Sequence, residues 1–404
     1  MAFQMKDNLL VKYIGCDERV VIPNNITHIG RFAFHNCSEI TSIVIPESVT
    51  SIDSGAFFGC KNLTNITLPN GLKELGGGAF NGCTSLKEII IPDGIKEIDT
   101  ATFKNCTSLE SITIPKSIRK IGENAFENCE RLAAISLPDT IEEILGDAFQ
   151  NTKWYNDFNS EFVIIGRNVL YKYKGTAENV IIPDDVTTIS WSAFSDNKTI
   201  KSVIIPDSVT SIGFHAFNGC INLADVKLPA NIRDIGIGAF DNTKWLDDYD
   251  SDFFIIRKEI LYRYTGKEKD VVIPEGVVHI GDYAFSNCEK VKSVQIHDGV
   301  VSIGRGAFDS CTSLKSIVIP KGITSIDSWT FYKCEKLEEV VIPETVTEIS
   351  DGAFESCEKL KEIDIPDSVA CFGEGVFEEC DKLEKITYRG ITYNSVEDFE
   401  SSNI

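Results

Sequence analysis

The chain has 404 residues, 43% of them hydrophobic, and 61 acidic against 39 basic side chains give it a formal net charge of −22 at pH 7. The apolar content is ordinary for a folded protein and argues against wholesale disorder. The charge argues against nucleic acid or an anionic membrane surface as partner, since both would be repelled. No stretch approaches the roughly 18 consecutive apolar residues of a membrane span, so membrane insertion is not expected.

Met1-Ala2-Phe3-Gln4-Met5-Lys6 has no apolar core, so no secretory signal is read there. Residues 1–15 read as a cap hairpin whose latter half is Leu9-Leu10-Val11-Lys12-Tyr13-Ile14-Gly15. From residue 16 a 23-residue unit takes over, marked by Pro23, Pro46, Pro69, Pro92, Pro115 and Pro138. The beat resumes at Pro183, Pro206 and Pro229, and again at Pro274, Pro320, Pro343 and Pro366, with His297 in the remaining slot. A fixed period of this length predicts a stacked solenoid in which each unit buries its apolar face against its neighbours.

One unit predicts one coil. Residues one and three before the proline are aliphatic, as in Ile43 and Ile45 or Val203 and Ile205, which is the two-residue alternation of a strand. The proline ends the strand because it has no N–H to continue a ladder. A second extended piece turns Val49 and Ile52 inward, Ala56-Phe57 makes a bend, and Leu63 closes the circuit. The expected architecture is mainly β: a right-handed solenoid of about fourteen coils with a continuous parallel sheet and few or no long helices.

The beat slips twice, from Pro138 to Pro183 and from Pro229 to Pro274, and both gaps are 45 residues. Each contains the same insert, 151–175 and 242–266, with corresponding residues 91 apart. In the first, residues 162–165, the turn Gly166-Arg167-Asn168 and residues 169–173 read as a β-hairpin. The expected organisation is therefore a first sub-array at 16–150, an insert hairpin at 151–175 and a second sub-array at 176–241. A second insert hairpin at 242–266, a third sub-array at 267–385 and a C-terminal cap at 386–404 follow. Such hairpins would cover the open face of a coil, as solenoid ends require.

Eleven of the 13 cysteines sit three residues after the repeat phenylalanine, from Cys37 to Cys380, and Thr152, Asn197 or Thr243 takes the slot elsewhere. That interchange predicts a small polar residue that turns the chain and bonds nearby backbone. Parallel side chains on successive coils do not converge as a disulfide requires, so reduced thiols are expected. No paired Cys-x-x-Cys marks a zinc site. Gly76-Gly77-Gly78 lacks the lysine of a phosphate loop, and Asp248, Asp250 and Asp252 run into Phe253 where a calcium loop needs glycine. The five histidines form no His-x-x-x-His pair, and no Gly-x-Ser-x-Gly elbow occurs. No catalytic residue, metal or cofactor is assigned.

The residue two before each proline points out of the sheet. The row reads Val21, Val44, Thr67, Ile90, Thr113, Ser136, Ile181, Ile204, Lys227, Val272, Gln295, Val318, Val341, Asp364 and Thr387, and most of these are β-branched. Val44, Ile90, Ile181, Ile204, Val272, Val318 and Val341 make it an aliphatic stripe beside a small or acidic one containing Ser42, Glu88, Asp225, Asp270 and Glu339. Continuous apolar surface of that kind marks interaction. Aromatic side chains at the bends, Trp191 and Trp329 among them, and in the inserts, Trp154 and Trp245, are the second candidate surface, because binding anchors are enriched in such residues.

The assembled unit resembles the BspA-like, or treponemal-type, leucine-rich repeat family. Leu109-Glu110-Ser111-Ile112-Thr113-Ile114-Pro115, Ile118, Ile121-Gly122 and Ala125-Phe126-Glu127-Asn128-Cys129 carry the motif, and its copies cover nearly the whole chain. The resemblance implies a leucine-rich-repeat solenoid and a non-enzymatic role as a cell-surface or secreted adhesin that binds a host extracellular protein. It brings no shared catalytic residues. A monomer is expected, and an intracellular protein–protein scaffold is the alternative, kept open by the thiols and the lack of a leader at the start of the chain.

Overall fold

The computed structural model describes residues 2–402, which divide into two compact units, Met1–Lys244 and Trp245–Ile404. Counting both units, the chain is mainly β, 3% helical, and makes about 17 turns of about 23 residues.

In the first unit the three-residue strands before the prolines pair in parallel. Val20 faces Ile43 and Ile43 faces Ile66, so each register step is one repeat. Ile89, Ile112 and Ile135 continue the pattern, as do Val180, Val203 and Val226. The proline carbonyl then accepts from the N–H three residues on (Val49 N to Pro46 O, 3.1 Å), closing a turn that swings the chain away from this first ladder. A second parallel ladder of two-residue strands follows, pairing Ile29 with Ile52 and Ile52 with Leu75. A two-residue strand is too short to show a period of its own, so the sequence hinted only at an extended piece there.

The third side is a ladder of bends. Within a run of regular coils the N–H of the repeat phenylalanine donates to the carbonyl of the residue before the next phenylalanine, as Phe57 does to Ala79 O at 2.8 Å and Phe80 to Thr102 O at 2.9 Å. Three directions of coil-to-coil hydrogen bonding thus satisfy the backbone that an apolar interior would otherwise strand. Inside, Phe34, Phe57, Phe80, Phe103, Phe126 and Phe149 are fully buried.

Three hairpins enter the second ladder as if they were coils. Leu10 of the strand Leu9–Tyr13 pairs with Ile29, Leu170 of Val169–Tyr173 with Ile189, and in the second unit Leu261 of Ile260–Tyr264 with Ile280. Adding them accounts for about 17 turns where fourteen were expected. Tyr13, Tyr173 and Tyr264 begin the aromatic stacks on Phe34, Phe194 and Phe285 at 5.3, 5.1 and 5.0 Å. Tyr171 faces the preceding coil, where its hydroxyl accepts the N–H of Phe149 at 3.0 Å. It occupies the place of the carbonyl that a further regular coil would supply.

The second unit repeats the plan. Val271 pairs with Val294, Val294 with Ile317 and Ile317 with Val340 along its first ladder. Lys385–Tyr388 then pairs antiparallel with Ile391–Tyr393, and a short helix, Val396–Glu400, buries Phe399 against Phe377 and Tyr388. Among the described residues no helix is long and apolar enough to cross a membrane.

Candidate protein-binding face

The first ladder presents its outward residues to solvent. Ile90 is 69% exposed and Ile181 66%, while Ile89 beside Ile90 is 3% exposed, the alternation that a pleated strand imposes. Val44, Ile204, Val272, Val318 and Val341 are exposed in the same row of their units. The structure does not make this row a continuous stripe. Thr67, Thr113, Ser136 and Lys227 interrupt it in the first unit and Gln295 in the second, which leaves pairs such as Ile181–Ile204 and Val318–Val341. An outward strand position asks only for a side chain that tolerates the pleat, so the repeat does not enforce aliphatic identity there.

A third row was missed from the sequence. The residue after each proline, or after His297, is the first central residue of the turn and is exposed throughout: Glu47, Asp93, Asp139, Asp184, Asp207, Glu275, Asp298, Glu344 and Asp367 are acidic, Asn24, Asn70 and Ala230 neutral, and Lys116 and Lys321 basic. The recurring Pro-Asp and Pro-Glu dipeptides were the available signal. This row borders the aliphatic one on the side opposite the Ser42–Glu88 row. A hollow of about 400 Å³ is lined by Ile181, Asp184, Ile204, Pro206, Asp207 and Lys227, and one of about 340 Å³ by Thr67, Asn70, Glu88, Ile90 and Pro92 among others. A wider hollow of about 900 Å³ lies over the second ladder, where Asp53, Glu74, Glu97 and Asp99 mix with Arg31, Lys73 and Lys96.

The four tryptophans lie elsewhere. Trp154 and Trp245 are half-buried in their inserts, Trp154 at 4.9 Å from Phe149 and Trp245 at 5.2 Å from Phe254. Trp191 is half-buried on a bend, 5.0 Å from Phe214. Trp329 adopts a left-handed backbone conformation, φ 57°, with the Arg305 guanidinium 4.1 Å from its ring centroid. Phe32, His215 and Tyr283 share that strained conformation in the same repeat slot. Each of these four large residues is followed, one coil later, by glycine in the slot: Gly55, Gly238, Gly306 and Gly352. A Cβ on Gly352 would meet Trp329 Cδ1 at 2.6 Å and one on Gly306 would meet Tyr283 Cε1 at 2.5 Å, so the rings lie over bare backbone. Bulky side chains with positive φ are uncommon, and here packing on glycine offsets part of the strain.

The cysteine slot has a structural task. Cys60 Sγ donates to Phe34 O at 3.1 Å, Cys83 to Phe57 O at 3.2 Å, and the same reach of 26 residues recurs to Cys380. The expected local bond is seen at Thr152, which donates to Phe149 O at 2.8 Å, and at Cys37 and Cys288, which reach backbone two residues away, whereas the other slot cysteines bond the preceding coil. The turn itself is made by the residue before the cysteine, left-handed at Gly59, Asn105 and Asn128. All 13 thiols are free, and burial pushes Cys60 and Cys220 up to about 12 and Cys288 to about 11. Thiols held protonated this firmly are poor nucleophiles and poor metal ligands. Among the described residues no group of three or more His, Cys, Asp or Glu converges as a metal site would require.

A family model for the BspA-type leucine-rich repeat region matches residues 27–156, 163–251 and 255–403 in six copies. Among solved structures, a leucine-rich cell surface protein of Faecalibacterium prausnitzii is 29% identical, with 98% of this chain and 94% of that one covered and a TM-score of 0.42. A leucine-rich repeat protein of Bacteroides ovatus is 25% identical over 94% of this chain and 88% of its own, with a TM-score of 0.31. The pneumococcal vaccine antigen PcpA is 18% identical over 95% and 92%, with a TM-score of 0.36. No curated protein matches the chain. The repeat, its three coil-to-coil ladders and the family model agree along nearly all of the sequence, and the chain belongs to the BspA-type leucine-rich repeat family.

Proposed function

We propose that the chain is a non-enzymatic cell-surface or secreted adhesin that binds a host extracellular protein through the outward face of its first ladder. One observation carries the reading: a folded, acidic protein leaves Val44, Ile90, Ile181, Ile204, Val272, Val318 and Val341 exposed in register on one face of each unit. Exposed aliphatic groups in rows are what a partner surface can desolvate. The repeat family, generally a binding scaffold, supports the same reading. The bend and insert tryptophans support it less, because their rings pack against phenylalanine, arginine or glycine of their own unit.

The test is capture of host extracellular proteins by the full chain and by Ile204→Asp and Val318→Asp variants, with folding followed by circular dichroism. Loss of capture by folded variants is expected. Undiminished capture by both removes the first-ladder face from consideration. A second reading, an intracellular scaffold, draws on Cys16 and Cys371, whose exposed thiols an oxidising exterior would not preserve. Protease treatment of intact cells separates the two, since only a surface protein is shaved.

A further inference from the structure

We infer that the segment docking on the first-ladder face is cationic, with Lys or Arg beside its apolar side chains; this rests on the reading of that face as the binding face. The case is clearest at Ile181 and Ile204, which lie in register on neighbouring strands over the hollow of about 400 Å³. Asp184 and Asp207, in the turns after the prolines, edge the hollow on adjacent coils, and Lys227 on the next strand is its one basic lining residue, so the acids outnumber it two to one. Asp207 Oδ1 accepts the Ala230 N–H at 3.0 Å, which turns the carboxylate along the row. Val318 and Val341 pair in the same register in the second unit, but the turn positions there are Lys321 and Glu344, so the edge of two carboxylates belongs to the Ile181–Ile204 patch.

Some acids on other rows are compensated by a neighbouring coil. Lys120 reaches Glu97 at 3.3 Å and Glu143 at 3.8 Å, and Lys104 reaches Glu127 at 2.6 Å. Among the described residues none of the post-proline carboxylates is in an ion pair. Neighbouring coils stand about 4.8 Å apart, and like charges at that spacing repel one another. A neutral apolar partner seated on the aliphatic pair would partly desolvate these carboxylates without compensation, and an anionic one would add repulsion. A partner with basic side chains at the same edge relieves the repulsion while its apolar groups cover Ile181 and Ile204.

The probe is a labelled synthetic peptide of alternating leucine and lysine, titrated against the full chain, with a leucine–glutamate peptide as counterpart. The leucine–lysine peptide is expected to bind, and to bind more weakly as salt rises. Asp184→Asn with Asp207→Asn should weaken it by about three- to tenfold. Glu39→Gln with Glu130→Gln removes the same charge from exposed turns elsewhere and should leave affinity within about twofold. Equal weakening by both pairs, or equal binding of the leucine–glutamate peptide, overturns the inference. Ile204→Ser distinguishes the levels. If it alone weakens binding, the face stands and its cationic preference falls; if neither it nor the aspartate pair has an effect, both fall.

Discussion

From Phe57 to Phe149 each ring of the inner row stacks on the next at 5.2–5.5 Å with planes within 11° of parallel. The outer row of the same coils reads Val44, Thr67, Ile90, Thr113 and Ser136, five residues of four kinds. Both rows are produced by one 23-residue repeat, yet one is uniform and the other varied. The inner position must fill a fixed space between identical neighbours, and interiors are packed too densely to accept another shape. The outer position must only suit an exposed strand, which leaves it available for recognition.

The contrast breaks most visibly if an inner ring is removed. Phe103→Ala should cost roughly 3–5 kcal/mol in urea unfolding, with hydrogen exchange rising first in the adjacent coils. Gly352→Ala tests the bend row. It places a methyl against Trp329 at φ 58° and should cost about 1–2 kcal/mol, less when Trp329 is also replaced by Gly. Tyr171→Phe leaves the buried Phe149 N–H without its acceptor and should cost about 1–3 kcal/mol.

The cysteine ladder adds a pH dependence with a definite sign. Burial raises the Cys60 and Cys220 thiols above their ordinary value of 9.0, to about 12. Unfolded thiols therefore ionise first as pH rises. The contribution is complete below about pH 9 and is lost as pH climbs from 9 toward 12. Urea melts at about pH 8 and pH 10 should show a larger loss for the native chain than for a Cys60→Ala, Cys220→Ala variant. At the small end, Ile90→Ser on the outer row should change stability by no more than about 0.5 kcal/mol.

Much of this was legible from the repeat. The spacing of Pro46, Phe57 and Cys60 predicted coils, an inward phenylalanine and an outward Val44, because strand alternation and a 23-residue period leave little choice of face. What the period could not show were relations between coils. Cys60 was expected to bond its own turn, but the carbonyl it reaches belongs to Phe34, and adjacency of those atoms exists only after stacking. The post-proline acids were readable as Pro-Asp and Pro-Glu pairs, but their lack of ion-pair partners among the described residues was not.

The sequence by itself determined the coil, its inside and outside, and the points where regular stacking is interrupted. Those follow from local periodicity and from proline, which act within one repeat. Only the tertiary structure decided that hairpins serve as coils in the second ladder, that Tyr171 replaces a missing backbone carbonyl, and that each large bend residue lies over the next coil's glycine. It also decided that, among the described residues, the post-proline carboxylates edging the outer row take no part in ion pairs. Each of these depends on which residues of neighbouring turns meet, and that distance is set by stacking rather than by any one segment of chain.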